Sequence, residues 1–273
     1  MKLVFRLLTF LFLVLPLALL AHDTWLLPSA FTPGPKTAVR LSLATSEAFP
    51  TSDGAVTPDR VARFTLRTAA GTQAVTGFRV EDKFLVADAI VPVAGHAVAV
   101  LETKPKIIVL KPEEFNAYIG DEDLKEVIAA RAKNGQSHSA GRERYRKIAK
   151  TILCVGALTG ASADKLYALP DKLWLEIVPE QSPCGLKVGD SFRVRVLFEG
   201  QPPAGAHIAA GFQGATGHKY PVWIPTDANG RAAVKLDRAG VWFVRVLHMV
   251  PAQNDPEADW QSAFSTLTFE VHK

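Results

Sequence analysis

The sequence is poor in the residues that usually announce chemistry. It has only two cysteines, and neither stands in a CxxC pair or a Cys–His zinc pattern, which excludes a zinc finger and a thioredoxin-type redox motif. No H-x-H or HExxH spacing occurs among its seven histidines, so any histidine metal site must be assembled in space. A glycine-rich phosphate loop is absent, and no serine-based triad stands out. The acidic groups Glu113-Glu114 and Asp121-Glu122-Asp123 fall at expected helix starts, where capping and the helix dipole account for them without catalysis. A preponderance of one charge is also lacking. The formal net charge is +4, too small to indicate nucleic acid or an anionic membrane as partner. Nothing in this inventory marks an enzyme.

What is present begins with an export signature. Lys2 and Arg6 precede a run from Leu7 to Ala21 that is apolar except for Thr9 and Pro16. The run is short for a membrane span and has the charge pattern of a secretory signal, so residues 1–21 are read as a cleaved signal peptide. Cleavage after Ala21 makes His22 the first mature residue. Its α-amino and imidazole nitrogens can then close a chelate ring on one metal ion, and Asp23 adds a carboxylate. In an oxidising compartment, Cys154 and Cys184 are expected to form one disulfide, worth about 3–4 kcal/mol in the chain-entropy model.

The remainder reads as mainly β, with two β-sandwich-like domains and a helical insert between them. Residues 22–112 alternate short apolar runs with Gly and Pro turns, as antiparallel strands do. Lys111-Pro112-Glu113-Glu114 then signals a helix start. The insert is expected over 113–156, with a third helix at Arg142–Val155 whose stripe is Tyr145, Ile148, Ala149, Ile152 and Leu153. Residues 157–172 are read as a linker. Seven strand-length segments fill 173–273, which points to an immunoglobulin-like sandwich that also resembles transthyretin-like modules.

Among the histidines, His248 is the best distant partner for His22, because it ends the stripe Trp242, Val244, Val246. His207 and His218 are weaker candidates. His96 is read as a solvated turn residue, His138 as part of a polar loop and His272 as solvated near the terminus. The predicted metal set is therefore His22, His248 and Asp23.

Three patches carry a resemblance. They are His22-Asp23-Thr24-Trp25-Leu26-Leu27-Pro28, then Phe115-Asn116-Ala117-Tyr118 with Gly141 to Lys150, and finally Gly240 to Met249 with Ser265 to Glu270. In these the chain resembles a family of exported bacterial proteins of unknown function, described as periplasmic components of cobalt or nickel uptake systems. The resemblance implies a periplasmic metal-binding protein for nickel or cobalt, with a membrane metal transporter as partner. Imidazole and amine donors suit copper as well. Two other readings compete with it. One is a copper-dependent oxidative enzyme with an amino-terminal histidine, and the other is a non-catalytic envelope interaction module.

Overall fold

The structure, a computed structural model, describes residues 22–156, 165–215 and 220–273. The expected export segment, residues 157–164 of the proposed linker and His218 lie outside the described residues. The first half contributes β1 (Asp23–Pro28), β2 (Thr37–Ser46), β3 (Val61–Thr68), β4 (Gly71–Ala74), β5 (Arg79–Glu81), β6 (Phe84–Val91), β7 (Gly95–Thr103) and β8 (Lys106–Leu110). Two helices follow, α1 (Pro112–Asp121) and α2 (Lys125–Lys133). Proline opens α1, and the Glu114 carboxylate accepts the Lys111 backbone N–H at 3.1 Å, closing the first turn as the sequence predicts.

The predicted third helix does not form. Residues 141–155 are instead one long strand, β9 (Gly141–Val155), so the helical part of the insert ends at Lys133. Both faces of β9 are buried. Ile148 and Ile152 join one core, while Ala149, Leu153 and Val155 join another. An apolar residue on each face in turn imitates the i, i+3, i+4 spacing of a helix stripe, and this is why the periodicity misleads.

The second half supplies all seven expected strands: β10 (Leu175–Pro179), β11 (Ser191–Phe198), β12 (His207–Phe212), β13 (Val222–Pro225), β14 (Arg231–Lys235), β15 (Gly240–Pro251) and β16 (Trp260–Val271). Among the described residues the strands form three sheets. A four-stranded sheet has the order β1-β2-β6-β5, and a three-stranded sheet the order β10-β11-β14. A nine-stranded sheet runs β13-β12-β15-β16-β9-β7-β3-β4, with β8 also pairing β9. Strands β10, β11 and β14 facing β13, β12, β15 and β16 make the immunoglobulin-like sandwich.

The two halves are not separate sheets laid side by side. Strand β16 pairs in parallel with β9, from Trp260 opposite Glu143 to Thr268 opposite Thr151. The large sheet therefore backs both the four-stranded and the three-stranded layer. Val98 and Val100 of β7 face the second core, whereas Ala97, Ala99 and Leu101 face the first. Cys154 and Cys184 form a disulfide with Cα atoms 5.6 Å apart. It joins the end of β9 to the loop after β10. His96 is a further correction: it lies in β7, is 4% exposed and meets Ser182 Oγ at 2.7 Å through Nε2.

The helices pack over the end of β15 and the start of β16, where Phe115, Ile119, Val127, Met249 and Trp260 form a small core. Gly141 lets this happen. A Cβ at that position would stand 2.1 Å from Phe115 Cγ, and Arg131 lies over the same ring at 4.7 Å. Gly141→Ala is expected to cost about 1–3 kcal/mol by overpacking. Urea unfolding should show a lower midpoint with an unchanged slope.

Candidate metal site at the amino-terminal strand

Strand β1 is covered on both sides. Leu26 enters the first core, while Trp25 packs with Phe49 and Phe243 at centroid distances of 5.2 and 5.6 Å. One backbone edge pairs with β2. The other meets hydroxyls rather than a strand: Thr266 Oγ1 donates to Thr24 O at 2.6 Å, and Thr268 Oγ1 to Leu26 O at 2.5 Å. Buried backbone carbonyls are thereby satisfied without an added strand.

Ahead of Trp25 lies a buried charge cluster. Arg245 Nε donates to Asp23 Oδ1 at 2.9 Å, and its two terminal nitrogens donate to Glu122 at 2.6 and 3.0 Å. Asp23, Glu122 and Arg245 are 3%, 8% and 1% exposed. Burial opposes the guanidinium's charge, but Asp23 and Glu122 outweigh it and hold Arg245 protonated. The Tyr220 hydroxyl donates to the second Asp23 oxygen. Burial, reinforced by the Asp23 charge, pushes the Tyr220 phenol up, so it remains a donor. Lys147 completes the tether, donating from Nζ to His22 O at 2.8 Å. Burial pushes this ammonium down to about 8, and it lies 3.3 Å from the centre of the Phe264 ring.

His22 stands at the open end of this structure. Its side chain is 37% exposed, and Nε2 is 3.7 Å from Glu47 Oε1. The structure thus brings His22 to Glu47, a residue the sequence reading missed. Glu47 has no sequence signal, since it lies in a loop after β2 and reaches His22 only through the β1–β2 pairing. Asp23 is committed to Arg245 and Tyr220 and serves as an anchor rather than a ligand.

His248 goes elsewhere. It shares a face with Val244 and Val246, and its ring lies 4.6 Å from that of Phe198 on β11. Arg245 and Phe243, on the other face, are the residues that meet β1. Burial pushes the His248 imidazole below its ordinary value, against the pull of Glu126. His248 lines a cavity with Asp123, Glu126 and His207, and neither His22 nor Asp23 borders it. The structure therefore does not bring His22 and His248 together. Among the described residues, no three or more histidine, cysteine or carboxylate side chains already form a group that could hold a metal ion. His138 and His272 are exposed.

A family model for a domain of unknown function, DUF4198, matches residues 19–250, and the chain belongs to that family. A comparison with curated proteins finds no match. Solved structures with some likeness include the D0-D1 domain of intimin, at 10% identity over 92% of this chain and 98% of that one, with a TM-score of 0.23. The Yersinia pseudotuberculosis adhesin InvE follows at 11% identity over 89% and 58%, TM-score 0.24. The mouse nectin-like molecule 4 ectodomain is similar at 8% identity over 92% and 64%, TM-score 0.21. Scores this low carry no argument about function, and the sandwich rests on the strand order and cores described above.

Proposed function

We propose that this protein is an exported metal-binding protein of the periplasm that handles nickel or cobalt, with copper also suited to its donors. The ion would be chelated by the α-amino group freed by cleavage after Ala21 and by His22 Nδ1, the ring nitrogen that the amine can reach, while Glu47 on the Nε2 side would orient the imidazole. The observation that carries this reading is the 3.7 Å approach of His22 Nε2 to Glu47 Oε1. A metal-ligating histidine commonly gives its other ring N–H to a carboxylate, which fixes the ring and raises the basicity of the ligating nitrogen. The amine and Nδ1 both come from residue 22, which is why the chelate needs no second side chain.

The cluster beneath His22 supports the same reading. Burying a guanidinium between two carboxylates is an expensive way to hold a strand, because desolvation offsets much of the attraction. Here it fixes the two residues that follow the predicted cleavage point, and a chelating terminus gains affinity from being held in place beforehand. A membrane metal transporter is the partner such a role calls for. The oxidative-enzyme reading needs a second imidazole beside His22, and the placement of His248 gives it no support.

The test compares the protein starting at His22 with the same protein carrying an acetylated α-amino group. Calorimetric titration with Ni²⁺, Co²⁺ and Cu²⁺ should show affinity for this site falling by about 100-fold in the acetylated form, because a linked pair of donors becomes one. Equal affinities would overturn the proposal.

A further inference from the structure

An open cleft of about 650 Å³ is lined by the loop after α2, the start of β9 and the β15–β16 hairpin. That is within the range of about 300–1,000 Å³ that small-molecule sites occupy. Its walls are held in place. Arg142, on β9, donates from Nε and Nη2 to Asp259 at 3.0 and 2.7 Å, and from Nη1 to Pro256 O at 2.9 Å. Arg144 engages Asp255 at 2.6 and 3.1 Å. On the helix side, Arg131 Nη2 donates to Gln136 O at 2.8 Å. A cleft fixed in this way loses little freedom when a ligand enters. Several lining side chains nevertheless have hydrogen bonds still to make. Among the described residues, nothing engages the carboxamides of Asn134, Gln136 and Asn254. Trp260 also borders the cleft, is 3% exposed, and has no acceptor for its Nε1 among the described residues. A buried donor without a partner is uncommon in a folded protein and calls for an explanation.

We propose that this cleft binds a neutral sugar unit. Carboxamides both donate and accept, as hydroxyl groups do, so Asn134, Gln136 and Asn254 match a ring bearing several hydroxyls. A guanidinium has five N–H groups; Arg142 uses three on Asp259 and Pro256, which leaves two for a ligand. The charges around the cleft cancel in pairs, Arg142 with Asp259 and Arg144 with Asp255. Arg144 holds the Asp255 carboxyl down at about 2, and Arg142 holds that of Asp259 below its ordinary value, so both pairs persist at neutral pH. An ionic ligand would find no unpaired counter-charge there, whereas an uncharged ligand with many hydroxyls finds partners throughout. The rest of the wall is proline and alanine from the hairpin, which suits the C–H face of a sugar ring. Trp260 Nε1 is itself covered, so binding includes a shift of its ring toward a hydroxyl oxygen. This site shares no residue with the amino-terminal one.

The experiment uses the full mature chain, labelled with ¹⁵N, and follows its five tryptophan indole N–H resonances. Trp260→Phe identifies the one that belongs to Trp260. The probes are glucose, galactose, mannose, N-acetylglucosamine and maltose, each added alone, with acetate and methylammonium as charged comparisons. At least one sugar should shift the Trp260 resonance saturably, with a dissociation constant of about 1 mM or tighter, and the charged probes should not. One lost hydrogen bond costs about two- to tenfold in affinity, so Gln136→Ala and Asn254→Ala should each weaken binding by that much. Neither side chain makes a hydrogen bond within the fold, so both variants should fold as the parent does by circular dichroism. His272→Gln and acetylation of the α-amino group should leave sugar binding unchanged, and this proposal and the amino-terminal one therefore fail separately. No saturable shift of Trp260 with any of the sugars, a response to acetate or methylammonium in their place, or unchanged affinity in folded Gln136→Ala and Asn254→Ala would overturn the proposal.

Discussion

Arg245→Met lowers the stability of the protein by about 3–5 kcal/mol, the cost of leaving buried carboxylates without their counter-ion. Asp23 and Glu122 are both almost fully buried against this guanidinium. Two further variants separate charge from shape. Asp23→Asn and Glu122→Gln, added to Arg245→Met, should recover part of the loss, because neither carboxylate then carries a buried charge, although Lys147 loses its interaction with Asp23. The triple variant should nevertheless bind metal more weakly than the parent, since the strand carrying His22 has lost its anchor. Urea denaturation gives the first quantity and metal titration the second. A stability change in Arg245→Met below about 1 kcal/mol would mean that the cluster is open to solvent.

Removing the disulfide comes next in size. Cys154→Ser with Cys184→Ser should cost about 3–4 kcal/mol, because the bridge closes a loop spanning 30 residues in the chain that the unfolded state otherwise leaves free. The effect should appear in the double variant and in reduced parent protein alike. Reductant should leave the double variant's unfolding midpoint where it is while shifting that of the parent.

The second half of the fold was legible because each strand there follows its own turn. Asp227-Ala228-Asn229-Gly230 and Gly200-Gln201-Pro202-Pro203 mark the ends of strands whose outer faces are polar. The centre was not legible for the opposite reason. Strands buried on both faces lose the alternation that identifies a strand, and β9 then passes for a helix. The role of Arg245 has no signal in the sequence for a related reason, since its side of β15 is covered by β1 and the helices. At the candidate site, His22 was visible because its meaning comes from the predicted cleavage point, which is local. Glu47 was not, since its nearness depends on strand pairing. The expected partnership of His22 with His248 failed on parity: neighbouring positions in a strand point to opposite faces, and the face of His248 is the one that β1 does not touch.

The hydroxyls of Thr266 and Thr268 that close the edge of β1 have a kinetic consequence. They belong to β16, which is also the parallel neighbour of β9. The first strand described and the last thus depend on one another across more than two hundred residues, and β9 waits for β16 as well. Contacts of such long range slow folding, because loop closure must be accepted before any of them forms. A ribosome-bound chain halted before Trp260 would leave one edge of its amino-terminal strand without the Thr266 and Thr268 hydroxyls, with β9 lacking one neighbour. Compaction of the whole would then occur late, as a single event gated by the final strand.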